Sequence, residues 1–349
     1  MASPRPAPDP HVSRPWLSSH AGKNIRRLPE KSMTPFLWRP GHGPDPPALE
    51  RMQEAFPKPM RLMGEPWFMT ENRKMYPELM TTLPKDLSPR DLIKYLDDIT
   101  SGATSFGSLD GEWAEWFHYL LPRSILRHRL HGVFSDGLEE VLITALVTQY
   151  PGHIDGKYPG FDRDILTTLG QWIMAPDLWE GSNIRVGAFL HEIPYENYPW
   201  KWYEASSDLS ATLFFCWKYL SPQEIDGWLE SVFAIKDAHW CAQILVWLLG
   251  AQKVLSGEIT QPVQFEEIEP NIDWFGSFYL KGHYEGDHRD PVIIPFLPQA
   301  NIDAFQTALR KHVTEALFFE WLDAIAKVDY LQSELSTLPD SFAAAYLMR

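Results

Sequence analysis

From Leu87 onward, apolar positions recur at helical spacing. In "LSPRDLIKYLDDITSG", Ser88 stands as N-cap, Pro89 as first helical residue and Asp91 at the third position. Leu87 and Leu92 are placed to staple the entry, with Gly102 as stop. In "GEWAEWFHYLL", Trp113, Trp116, Phe117, Leu120 and Leu121 form one broad buried stripe, and Pro122 must kink or end that helix. "SDGLEEVLITALVTQY" repeats the stripe with Leu138, Val141, Leu142, Ala145 and Leu146. "LSPQEIDGWLESVF" carries a capping box from Ser221 to Glu224, with Leu220 and Ile225 as staple. Its neighbours, "SATLFFCWKYL" and "HWCAQILVWLLGAQ", are apolar nearly all round and read as central helices. The short joints between these three helices predict antiparallel packing. A last helical block spans Ile302 to Tyr346, with breaks near Val328 and Pro339. Strand-like alternation is confined to pieces such as "VIIPFL".

The pattern predicts a mainly α fold: an irregular helical array or bundle, HEAT-like in architecture, with long loop insertions. No fixed repeat period emerges. Fourteen of the 30 prolines fall within residues 1–66, so a disordered proline-rich arm is assigned to 1–64 and a helical body to 65–349. Trp16, Phe36 and Trp38 offer that arm contacts to the body. A sub-boundary is placed near 257–300, where the helical pattern lapses, as it also does over 151–204.

Charge changes this picture. Residues 1–61 hold ten Lys/Arg against five Asp/Glu; the remaining 288 hold 21 against 41. Such an acidic body repels nucleic acid and anionic membranes and attracts basic partners. No apolar run is long enough to span a membrane, and no apolar segment followed by a small-residue cleavage site marks a secretory signal. The two cysteines, Cys216 and Cys241, sit inside apolar helical patterns, which fits buried free thiols and a cytoplasmic home.

Candidate chemistry is sparse. "GHYEGDHRDP" (282–291) gathers His283, Glu285, Asp287, His288 and Asp290, all able to ligate a divalent ion, but at a spacing that matches no established site. "PGHIDGKYPGFDRD" adds His153, Asp155, Asp162 and Asp164; Asp162 is placed to cap the helix starting near Arg163. A metal-dependent hydrolase using His283, Asp287 and His288, supported by His153 and Asp155, is therefore the alternative reading. "HEIPYE" (191–196) lacks the second histidine of a zincin motif, and "ATSFG" around Ser105 follows a helix where a nucleophile elbow needs a strand. Phosphate-binding and redox motifs are absent, and no cofactor or metal is expected. The basic run Arg123, Arg127, His128, Arg129 and His131 is expected to pair with the chain's own acids.

The favoured reading is a non-enzymatic binder of a basic protein partner, an immunity-type inhibitor of a bacterial toxin being one such role. Tyr195, Tyr198, Trp200 and Trp202 are the candidate aromatic anchors. Glu266, Glu267, Glu269, Asp273, Glu285 and Asp287 are the candidate acidic rim. An adaptor that docks through its basic proline-rich arm is a third class.

Overall fold

The computed structural model describes residues 34–63, 76–106, 111–125, 137–186, 190, 206–267, 272–280, 283–285, 292–328 and 336–348. The chain divides into two units, Met1–Thr34 and Pro35–Arg349, and the described residues lie, Thr34 aside, in the second. Among the described residues its α-helices are α1 (Pro46–Ala55), α2 (Pro89–Phe106), α3 (Glu112–Ser124), α4 (Leu138–Gln149), α5 (Phe161–Thr168), α6 (Ser207–Tyr219), α7 (Pro222–Phe233), α8 (Ala238–Leu255), α9 (Gln299–His312), α10 (Glu315–Ile325) and α11 (Leu338–Tyr346). Two short antiparallel pairs join β1 (Trp179–Glu180) to β2 (Asn183–Ile184) and β3 (His283–Glu285) to β4 (Val292–Ile294). The fold is the mainly α, irregular helical array that the apolar pattern predicts. Alternate helices lie side by side, α2 with α4, α4 with α6, α7 with α9 and α8 with α10, as in stacked helical hairpins.

Both capping boxes form. Ser88 Oγ accepts the Asp91 N–H at 3.1 Å, and Ser221 and Glu224 satisfy each other's backbone at the start of α7. Two expected stops behave differently. Gly102 does not end α2, which runs on to Phe106; the glycine lets the Trp113 ring of α3 approach so closely that a Cβ would stand 2.8 Å from it. Pro122 lies inside α3, which continues to Ser124. The C-terminal block breaks at Val313, where the Thr314 hydroxyl accepts the Leu317 N–H at 3.2 Å and caps α10.

The body begins earlier than residue 65. Asp45 accepts the Ala48 N–H at 3.2 Å and Pro46 opens α1, a helical position that tolerates proline because its N–H would be unpaired anyway. Trp38 is 1 % exposed and packs edge-on against Trp228 (5.4 Å) and Trp240 (5.8 Å), while its Nε1 donates to the Gly170 carbonyl at 2.8 Å. The 257–300 region likewise belongs to the same unit. Phe265, Trp274 and Phe296 gather round Phe214 of α6 at centroid distances of 4.8, 6.0 and 6.1 Å.

Helix α4 is the most enclosed. All twelve of its residues are buried, Glu139 and Glu140 included, and Thr144 and Thr148 turn their hydroxyls back onto the carbonyls one turn earlier. Cys216 and Cys241 are buried and free. Among the described residues no helix is long and apolar enough to cross a membrane.

Candidate protein interface

The residues singled out in the sequence scatter. His153 Nε2 and Asp155 Oδ1 stand 2.8 Å apart, but both side chains are at least 80 % exposed, so they form a solvated pair within one turn. Asp162 is not a cap: Gly160 holds that position in a left-handed conformation, and Asp162 sits in the first turn of α5. Asp164, two residues on, is buried and receives both Arg51 (2.9 and 2.6 Å) and the Tyr158 hydroxyl (2.8 Å). Of "GHYEGDHRDP", His283, Tyr284 and Glu285 are described, and they pair antiparallel with Ile294, Ile293 and Val292. Asp287, His288 and Asp290 lie outside the described residues, as do Glu269, Tyr195, Tyr198, Trp200, Trp202 and the "HEIPYE" segment. Glu266 and Glu267 close a 3-10 turn, Pro262–Glu267. Ser105 lies within α2, with no strand before it. No group of three or more His, Cys, Asp or Glu that could hold a metal occurs among the described residues.

Arg123 corrects the expectation of an acidic partner. It donates to the carbonyls of Gln53 (3.1 Å), Phe56 (3.3 Å) and Tyr119 (2.7 Å) and lies 4.2 Å over the Tyr119 ring. Its charge thus caps the C-terminus of α1, where unpaired carbonyls favour a cation. Arg127, His128, Arg129 and His131 lie outside the described residues.

Of the expected rim, Asp273 is described and exposed, and it opens a compact arrangement. In "DWFGSFYL", alternate groups are pinned inward. Trp274 is 3 % exposed and its Nε1 donates to Thr144 Oγ1 of α4 at 2.9 Å. The Gly276 N–H donates to Glu140 Oε1 at 2.6 Å, and its backbone lies so near Thr144 that a Cβ would stand 2.5 Å from Oγ1. Ser277 and Leu280 are buried, and their N–H groups donate to Trp274 and Ser277 at 2.9 Å each, closing a 3-10 turn, Phe275–Tyr279. With those positions fixed, the intervening side chains must point out. Phe275 is 71 % and Phe278 40 % exposed, their rings packed edge-on at 5.9 Å; Tyr279 lies 4.0 Å from Phe278.

The surroundings are acidic. The turn rests on α2 as well as α4, and α2 brings Asp97 and Asp98. Burial, then repulsion from Asp98, pushes the Asp97 carboxyl up to about 6. Burial pushes Glu140 up to about 7; the Gly276 N–H opposes this, and Asp273 and Asp97 reinforce it. The Tyr279 phenol is raised by burial and then by Asp97 and Asp98. Asp98 accepts the Tyr76 hydroxyl. These influences put Asp97 within electrostatic reach of Asp98 and of Glu140, and Asp273 within reach of Glu140.

Sequence reasoning reached Asp273 but missed Phe275, Phe278, Asp97, Asp98 and Glu140. The available signal was the spacing in "DWFGSFY", where Gly276 and Ser277 between aromatics allow the backbone to lie flat against a helix. Comparison with protein-family models, curated proteins and solved structures finds no match to this chain.

Proposed function

We propose that this chain is an acidic binding protein that recognises a basic protein partner through the face formed by Phe275, Phe278 and Tyr279 and framed by Asp97, Asp98 and Asp273. The observation that carries the reading is the pair of exposed, mutually packed phenylalanines on a turn whose Gly276 and Ser277 are buried against α4 and whose Tyr279 is half-buried. Folding gains nothing from leaving two large rings in water, whereas association does; aromatic anchors with an acidic surround are the chemistry that takes up arginine and lysine. A guanidinium laid on the Phe275 or Phe278 ring would also relieve the repulsion between Asp97 and Asp98. The formal net charge of −15 would speed encounter with a cationic surface.

The two buried free thiols fit a reducing compartment such as the cytoplasm. An immunity-type inhibitor of a basic toxin domain is the particular role this charge pattern suits. The test is co-purification of the full chain with the products of adjacent genes, measured for the parent and for Phe275→Ala/Phe278→Ala. A basic partner whose affinity falls at least about tenfold in the double variant supports the reading. Binding that survives both substitutions, or no adjacent product that binds, overturns it.

A further inference from the structure

A second surface has the opposite electrostatic character. Residues 56–61, "FPKPMR", run between the end of α1 and the flank of α3 and form one wall of a cleft of about 700 Å³. That volume lies in the range of small-molecule sites. The segment is held at both ends: the Gln53 and Phe56 carbonyls accept Arg123, and the Arg61 carbonyl accepts Trp116 Nε1 at 3.0 Å. Between these anchors Pro57 and Pro59 fix φ, so the backbone carrying Lys58 and Arg61 is set before any ligand arrives. The facing wall is α3, through Ala114, Glu115 and His118, and the 151–160 loop contributes Lys157.

The floor is aromatic. The His118 imidazole is 5 % exposed and lies 4.9 Å from the Phe56 ring, tilted by 37°. Its Nδ1 faces the Ala114 carbonyl and must donate to it, so Nε2 accepts the Tyr150 hydroxyl at 2.5 Å. Burial, with Lys157 adding to it, brings the ring down to about 4, and it is neutral at physiological pH. His118 is thus an uncharged platform with both nitrogens engaged, not an acid–base group.

Three cations border this cleft against one carboxylate, Glu115, in a chain whose acids outnumber its bases 46 to 31. None of Lys58, Arg61 and Lys157 makes an ion pair among the described residues. Arg123, half-buried at the end of α1, is engaged by three backbone carbonyls. We infer that the cleft bounded by Lys58, Arg61, Lys157, Phe56 and His118 binds a small organic anion, a phosphate ester or carboxylate with a flat apolar body. The anionic group meets Lys58, Arg61 and Lys157; the body lies on Phe56 and against Pro57 and Pro59. Glu115 limits affinity for a bare anion and leaves room for a donor on the ligand.

The test is calorimetric titration of the full chain with phenyl phosphate, benzoate, inorganic phosphate and benzyl alcohol. Either aromatic anion should bind one-to-one, at least about tenfold tighter than both inorganic phosphate and benzyl alcohol, and the tighter of the two identifies the anionic group. Lys58→Ala/Lys157→Ala should weaken that binding at least about tenfold with an unchanged melting temperature, and Glu115→Gln should tighten it a few-fold. The proposal falls if neither aromatic anion outbinds benzyl alcohol, or if the double variant binds as the parent does.

Discussion

The carboxylate of Glu140, on the most enclosed helix of the body, accepts the Gly276 N–H at 2.6 Å and so ties the buried centre to the turn that exposes Phe275 and Phe278. Glu140 is 3 % exposed, and burial lifts its carboxyl from 4.5 to about 7. The folded state therefore holds this proton more tightly than the unfolded chain does. Stability from this group is fully present below about pH 4.5 and is lost as pH rises through about 7, a difference on the order of 3 kcal/mol. Asp97, lifted from 3.8 to about 6, acts in the same direction over a lower window. Glu140→Gln keeps an acceptor for Gly276 and removes the titration. Urea midpoints at pH 5 and pH 8 should converge in this variant relative to the parent; an unchanged pH slope would show that the carboxylate is not buried as described.

Gly276 is required by proximity rather than by backbone angle. A Cβ there would stand 2.5 Å from Thr144 Oγ1 and 2.9 Å from Thr144 Cγ2. Gly276→Ala should cost about 1–3 kcal/mol through this overlap. Thr144→Ala relieves the overlap but removes the acceptor of Trp274 Nε1. The double variant should accordingly lose less than the sum of the two single losses, a coupling that denaturant melts resolve. Strict additivity would place the two residues out of contact.

What the sequence made legible was local. Capping boxes at Ser88 and Ser221 work within four residues, so spacing alone reveals them. The all-apolar faces of α6 and α8 announced their central position because no other environment accepts them. Helix α1 was hidden by its own start signal: Asp45 followed by two prolines marks a helix N-terminus, yet proline density across the first sixty residues read as irregular chain. The exposed turn was hidden for a different reason. Whether Phe275 faces water depends on Glu140 and Thr144, more than 130 positions away, and no local pattern carries that information. The burial of Glu139 and Glu140 at the start of α4 is likewise set by distant residues and leaves no local signature.

Asn301 is the polar keystone between α6 and α9. Its Nδ2 lies 2.6, 3.1 and 2.9 Å from the carbonyls of Trp217, Lys218 and Leu220 at the end of α6, and its backbone carbonyl accepts Trp217 Nε1 at 3.1 Å. The side chain is 3 % exposed, so water cannot replace it. Asn301→Ala strands several buried acceptors at once and should cost about 2–4 kcal/mol, more than most single substitutions. A loss under about 1 kcal/mol in chemical denaturation would mean that the α6 terminus finds other donors.

Phe275 and Phe278 should separate folding from recognition. The Phe275 ring stands largely in water, so Phe275→Ala should change stability by no more than about 0.5 kcal/mol; Phe278, 40 % exposed and packed on both Phe275 and Tyr279, should cost about 1 kcal/mol when truncated. If the basic-partner reading is right, the same substitutions act on dissociation, because anchors set residence time. Asp97→Asn and Asp98→Asn should instead slow association and flatten its salt dependence, because charge steers the encounter. Stopped-flow association over a salt series distinguishes the two effects. Phenylalanine variants that destabilise the fold by several kcal/mol would instead assign these rings to the core, and the aspartates would lose their reason to surround them.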